Sequence, residues 1–278
     1  MLEELKHCPV CNHEQFEHFI KCKDFTVSKA VFTIVKCKHC GFKFTNPRPT
    51  EEAIGAYYKS EAYISHTNSR KGIINTIYQL VRKKTLKDKV NLINSLIPEK
   101  GRILDIGCGT GYFLKACKDN HWKISGIEPD ENARKLAKSN TDEVINSGLF
   151  CCYDESDAFD IVTTWHVVEH IHQLNENIEK ISQILKSKGI FIIAVPNADS
   201  LDAKIYQDNW AAYDVPRHLY HFNPLTIKQL LEKHQFTLIA TKPMYFDSYY
   251  VSLLSEKNIA KDKNTSTDFF KSFVNGYK

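Results

Sequence analysis

The stretch GRILDIGCGTGYFLKAC, Gly101 to Cys117, decides how the chain folds. A short apolar run, RILDI, ends near Asp105. Gly107, Gly109 and Gly111 follow at alternate positions, and YFLKACKDN then has the pattern of a helix. A strand, a glycine turn and a helix together present backbone N–H groups to a ligand over the helix start. The spacing is G-x-G-x-G, with an acid two residues before the first glycine. A buried acid there repels a pyrophosphate and suits a ligand that carries an ammonium group. A second acid, Glu128, closes the strand WKISGIE 23 residues later, where a carboxylate can accept both ribose hydroxyls. The ligand these residues describe has an amino-acid end and a nucleoside end.

Outward from this stretch, strands and helices alternate. ENARKLAKSN reads as a helix, DEVIN as a weak strand and FDIVTTW as a clear one. A helix over Leu174 to Leu185 is capped by Gly189, and GIFIIAV is the most apolar strand. Such alternation implies parallel strands with crossover helices: an α/β, doubly wound, Rossmann-like sheet. PLTIKQLLEKH starts a helix after Asn223, a fitting N-cap, and FTLIATKPM reads as a final strand, with no candidate for a seventh strand beyond it. Upstream, apolar positions from Ile73 to Ile97 keep one helical face, with a break allowed in the middle and Pro98 as its end. The polar tail after Ser255 reads as mobile; FFKSFV is a docking helix or a cut end.

D-I-G-C-G-T-G followed by G-I-E-P resembles the class I S-adenosylmethionine (SAM) methyltransferases. The broad group resembled is related to the ubiquinone-biosynthesis O-methyltransferases and the sugar C-methyltransferases. The resemblance implies that Asp105, Gly107, Cys108, Gly109 and Gly111 line the methionine part of SAM, where a Cβ would collide with it. Glu128 and Pro129 would lie at the ribose, and Gly148 and Leu149 near the adenine. V-V-E-H-I after the fourth strand matches the family as well. By that likeness His170 is a candidate general base, His166 a pocket wall beside SAM, and Trp165 a cover for the adenine. His166, Glu169 and His170 also spell H-x-x-E-H. That zinc-protease pattern needs a helix in another fold.

The insert VPNADSLDAKIYQDNWAAYDVPRHLYHFNPLTI follows the fifth strand. Its density of rings and basic groups reads as a substrate pocket, with Trp210, Tyr213, Arg217, Tyr220 and His221 as candidate contacts. Arg217 suits a carboxylate or phosphate, and His218 is an alternative base. P-R-H-L-Y-H-F resembles a signature of SAM methyltransferases that carry an N-terminal cysteine cluster.

That cluster is C-P-V-C at 8–11 and C-K-H-C at 37–40. Two C-x-x-C knuckles read as a four-cysteine structural Zn²⁺ site formed by Cys8, Cys11, Cys37 and Cys40. The nine cysteines are an odd number without an export signal, which points to a reducing, cytoplasmic setting. The net charge of +4 is too mild to argue for nucleic acid, and no apolar run is long enough to span a bilayer.

The expected segments are a zinc-ribbon-like module at 1–50, a helical linker or lid at 51–98, a SAM-binding domain at 99–255 and a tail at 256–278. The expected activity is methyl transfer from SAM to a small-molecule acceptor, with S-adenosylhomocysteine (SAH) as product. O-methylation of a hydroxylated metabolite or sugar comes first, ahead of C- or N-methylation. A zinc-module rRNA or tRNA methyltransferase and a non-catalytic SAM-binding protein stand as alternatives.

Overall fold

The computed structural model describes residues 1–59, 73–143, 145–147 and 158–277. The chain forms two compact units. One is continuous, Arg70–Val195; the other joins Met1–Ser69 to Pro196–Lys278.

At the start of the discontinuous unit, β1 (Leu2–Glu3) pairs antiparallel with β5 (Arg48–Pro49). Between them β2 (Phe16–Lys23), β3 (Val31–Cys37) and β4 (Lys43–Thr45) form an antiparallel meander. In β3 the alternation that places Phe32 and Ile34 on one face also buries them with Cys22 from β2. Asp24 shapes the β2–β3 turn, its carboxylate accepting the N–H groups of Thr26, Val27 and Ser28 at 3.0, 3.1 and 2.7 Å. A short helix, α1 (Glu51–Ile54), follows.

The continuous unit opens with α2 (Ile73–Leu96), which is unbroken and buries Val90 and Ile93. Next come β6 (Arg102–Ile106), α3 (Tyr112–Lys118), β7 (Lys123–Ile127), α4 (Glu131–Thr141), β8 (Ile145–Asn146), β9 (Phe159–Trp165), α5 (Leu174–Ile184) and β10 (Leu185–Ala194). The five strands are parallel, in the order β10-β9-β6-β7-β8. The chain winds outward from β6 to β8, then returns to the other side of β6 at β9. Ligands sit beyond the carboxyl ends of the strands at such a reversal. In α5 the buried Leu174, Ile178, Ile181 and Ile184 recur at helical spacing. Asp130 caps α4 by accepting the Ala133 N–H at 2.8 Å.

The chain then rejoins the first unit through α6 (Leu201–Tyr206), β11 (Tyr220–His221), α7 (Pro224–Lys233), α8 (Tyr245–Lys263) and α9 (Phe269–Tyr277). β11 pairs antiparallel with β4, Tyr220 opposite Phe44 and His221 opposite Lys43. The insert thus completes the sheet begun by the cysteine module. Asn223 caps α7 in a capping box with Thr226.

Three expectations change. Gly189 does not cap α5; the helix ends at Ile184 and Leu185 enters β10 directly. Gly189 lies at the register shift of that strand, where a Cβ would meet Leu185 Cδ2 at 2.8 Å. FTLIATKPM forms no strand and joins none of the three sheets. Its β-branched residues favour extension, but none of the described strands pairs with it, and Ile239 stays exposed. The residues after Ser255 continue α8 as far as Lys263, where Asn264 takes a left-handed φ of 51° and ends the helix.

Candidate functional site

Asp105 on β6 is 2% exposed. Thr163 lies opposite it on β9 and donates its hydroxyl to Asp105 Oδ1 at 2.6 Å. Burial pushes the Asp105 carboxyl up to about 7, against the opposing pull of the Thr163 hydroxyl and the Lys89 charge on α2. Glu128 follows β7. Its Oε2 accepts the Gly109 N–H at 2.8 Å, and its Oε1 accepts the Asp130 N–H at 2.9 Å. Burial raises this carboxyl too, and the two backbone bonds partly offset that. Arg134 donates to the carbonyls of Glu128 and Pro129 at 2.7 and 2.9 Å, fixing the turn between them. Cys108 is nearly buried in the loop, and burial raises its thiol.

The three loop glycines have φ values of 69°, 54° and 76°, but their surroundings differ. A Cβ on Gly107 would meet Val167 Cγ2 at 2.5 Å, and one on Gly111 would meet Ala137 Cα at 2.9 Å. Nothing lies within 4 Å of a Cβ on Gly109. Gly107 and Gly111 let the loop pack on its own chain, and Gly109 faces open space. Gly111→Ala is expected to cost stability, about 2–4 kcal/mol from the left-handed backbone and the clash with α4. Gly109→Ala is expected to cost only about 1–2 kcal/mol but to weaken SAH binding at least ~tenfold, by filling the ligand's space. Thermal melts and SAH titration of both variants check this; equal loss of SAH affinity in both would contradict the division.

At the carboxyl end of β9, Trp165 meets the Phe113 ring edge-on at 5.5 Å, with Lys89 Nζ 4.0 Å from its ring centre. It packs against the core that α2 and α3 form on β6 and β9. His166 is exposed, has φ 58°, and lies 3.5 Å through Nδ1 from Oε1 of the fully buried Glu169. His170 is half-buried in a 3₁₀ turn, Val168–His170, its N–H bonded to the Val167 carbonyl at 2.9 Å. Gly148 and Leu149 lie outside the described residues.

In the other unit, the sulfurs of Cys8, Cys11, Cys37 and Cys40 all lie within 4.8 Å of one another. Cys8 and Cys40 are 3.6 Å apart, Cys11 and Cys37 3.5 Å. A tetrahedral ion with bonds of about 2.3 Å to sulfur needs edges of about 3.8 Å, so the donor set fits zinc. The two knuckles are alike. The Asn12 N–H bonds to the Cys8 carbonyl at 2.9 Å and the Gly41 N–H to the Cys37 carbonyl at 3.0 Å. Backbone N–H groups of Val10 and Cys11 face the Cys8 sulfur, and those of His39 and Cys40 face Cys37. Donors so placed stabilise thiolates. Cys22 lies apart, in the apolar core.

The insert folds inward. Trp210, Tyr213, Arg217, Tyr220 and His221 are all buried, and the density of rings that reads as a pocket in the sequence is an interior. Trp210 and Tyr213 meet edge-on at 4.9 Å in the apolar core. Tyr220 accepts an Arg48 N–H at 2.8 Å. His221 Nε2 is 3.1 Å from the Thr45 hydroxyl, and burial holds its pKa well below the usual value. Arg217 is not presented to a ligand. Its fork meets Asp214 through Nε at 3.0 Å and Nη2 at 2.6 Å, Nη2 also reaches Asp24 at 3.0 Å, and Nη1 donates to the Tyr57 carbonyl at 3.0 Å. His218 donates from Nδ1 to the Ala212 carbonyl at 2.8 Å, the tautomer in which Nε2 is the basic nitrogen.

Three residues were not singled out from the sequence. Thr163 becomes visible once β9 is known to lie beside β6. Lys89 and Asp24 have no local signal, because their partners, Asp105 and Arg217, are distant in the chain.

With this geometry in view, residues 78–241 match the family model described as methyltransferase domain. That is more than half of the chain, and the chain belongs to this family: it is a SAM-dependent methyltransferase of the class I fold. Among curated proteins it is similar to a ubiquinone biosynthesis O-methyltransferase from Bartonella quintana. The two are 26% identical over 192 residues, covering 61% of this chain and 76% of the relative. A protein of the same description from Bradyrhizobium diazoefficiens is 24% identical, over 48% of this chain and 55% of its own length. The chain thus spans between about half and three-quarters of these relatives. Among solved structures, a SAM-dependent methyltransferase from Archaeoglobus fulgidus is 21% identical with a TM-score of 0.48, over 70% of this chain and 96% of that one.

Proposed function

We propose that the protein methylates a hydroxyl group of a small molecule, with SAM as donor, and that a structural zinc ion is held by Cys8, Cys11, Cys37 and Cys40. The observation that carries the cofactor half is the pairing of two buried carboxylates, Asp105 and Glu128, around the open face of Gly109. When bound there, SAM supplies an electrophilic methyl group and leaves as SAH. Asp105 suits the ligand's ammonium, and Glu128 its ribose hydroxyls. The loop backbone positions the ligand, and the buried walls exclude water. A histidine takes the acceptor's proton as the oxygen bonds to the methyl carbon. His170 and the Nε2 of His218 are the proposed bases.

The names of the curated relatives support oxygen over carbon or nitrogen as the acceptor atom. Two of the three lysines of KCKHCGFKF are engaged, which speaks against an RNA grip: Lys36 pairs with Glu17 at 3.2 Å, and Lys43 is buried against Asp199 at 2.7 Å, while Lys38 is exposed. Cytoplasmic localisation rests on the cysteines, none of which is disulfide-bonded among the described residues. No described helix is long and apolar enough to cross a membrane.

Calorimetric titration with SAH tests the cofactor reading. Binding in the micromolar range that is lost in Glu128→Ala supports it; no binding by the intact protein removes it. The Asp105 carboxyl adds a pH dependence. The ligand's ammonium favours the ionised form, so SAH affinity should rise with pH and level off above about 7. Each unit below that should cost up to about tenfold. Asp105→Asn should flatten the profile. The sign reverses for the stability of the ligand-free protein. The folded state keeps a proton that the unfolded state releases near pH ~4, so stability falls from about pH 4 to about pH 7. Melting temperatures across that range check it.

A further inference from the structure

Helix α9 docks on α8 by the face that would ordinarily meet water. Its buried residues are Ser272, Asn275 and Gly276. Ser248 Oγ donates to the Gly276 carbonyl at 2.8 Å, Asn275 donates to the Tyr206 hydroxyl at 3.1 Å, and Lys271 pairs with the buried Glu256 at 3.1 Å. The apolar face is outside: Phe269, Phe270 and Phe273 are 65%, 79% and 64% exposed.

The aromatic surface continues onto α8. Tyr249 lies 5.4 Å from the Phe273 ring, and Tyr245, Phe246 and Tyr250 are exposed. At 3.6 residues per turn, Phe246, Tyr250, Lys257 and Lys261 fall on one face of α8, and all four are exposed. Burial lowers the Lys261 pKa, and the nearby charges of Lys29 and Lys257 lower it further.

Two acids of this segment are engaged by cations: Glu256 is buried with Lys271, and Asp262 pairs with Lys23 at 2.8 Å. Asp268 accepts the Lys271 backbone N–H at 2.9 Å and keeps its charge at the start of α9. Asp247 lies about a sixth of a turn round from the lysine face. An exposed apolar patch of this kind marks an interaction surface. Phenylalanine and tyrosine beside a lysine row suit the boundary between anionic headgroups and acyl chains, where rings enter and long basic side chains reach phosphate.

We infer that the α8–α9 face is a docking surface for an anionic lipid membrane, holding the enzyme at the bilayer surface. The inference does not depend on the acceptor proposed above. The test is co-sedimentation of the full chain with vesicles of phosphatidylcholine alone and with added phosphatidylglycerol. The expected result is binding to the anionic vesicles, weakened by salt and by Lys257→Glu with Lys261→Glu. Phe269→Ser, Phe270→Ser and Phe273→Ser should each lower partitioning about tenfold. SAH binding should persist in each, as a check of folding. F270S, at the most exposed of the three rings, keeps the test open if the double lysine variant misfolds. Absence of binding to either vesicle, or binding indifferent to the phenylalanines, would overturn the inference. So would self-association that the serine variants abolish without any vesicle binding, which would assign the face to a second copy of the chain.

Discussion

Cys37→Ser is expected to abolish binding of the proposed zinc and to unfold the sheet that the knuckles hold. Cys37 ends β3, its N–H bonds to the Phe42 carbonyl at 2.8 Å, and β4 begins at Lys43, so one residue ties the thiol cluster to a β-turn. Four sulfurs gathered within 4.8 Å, with backbone N–H groups facing those of Cys8 and Cys37, form the donor set of the proposed zinc site. In small zinc modules the ion supplies on the order of 10 kcal/mol of folding free energy. β11 pairs with β4, so the damage should reach the insert as well. Elemental analysis should find one zinc per chain in the native protein and almost none in the variant, with a broad, lowered melt. Native protein that contains no zinc and melts unchanged after chelation would sink the metal assignment.

Arg217→Ala is expected to destabilise the same unit by about 3–5 kcal/mol, the usual cost of breaking a buried ion pair from one side. The variant leaves Asp24 fully buried without its cation and removes the fork on Asp214. Urea denaturation measures the loss, and the double variant with Asp24→Asn should lose less than the sum of the singles. SAH affinity should be unchanged, whereas a substrate-binding arginine would leave stability intact. Burial raises the Asp24 carboxyl, but the Ser28 N–H and the Arg217 guanidinium outweigh it and hold the group at about 2. Its contribution to stability is therefore complete above pH ~4 and is lost as pH falls toward 2. A variant as stable as the native protein would return Arg217 to the list of ligand contacts.

The two results bear on one contrast. Asp105, Glu128 and the glycine loop were legible because their chemistry is local: strand, turn and helix are consecutive, and the acids mark the strand ends. The cysteine knuckles were legible for a similar reason, since thiolate geometry restricts their spacing. The burial of Trp210, Tyr213 and Arg217 was not legible, because a loop rich in rings and charge has the same composition whether it lines a pocket or fills a core. Only β11 beside β4, and Asp24 reaching Arg217 from 193 residues away, decide between the two.

By itself, then, the chain's sequence determined the alternating α/β order, the glycine loop between strand and helix and the two cysteine pairs, each of which depends on neighbours a few residues apart. The tertiary structure alone decided that Gly109 faces open space while Gly107 and Gly111 pack on their own chain. It also decided that the insert shares a unit with the cysteine module and that α9 turns its phenylalanines outward. These depend on which distant surfaces meet, and burial of a side chain is a property of that meeting rather than of the residue.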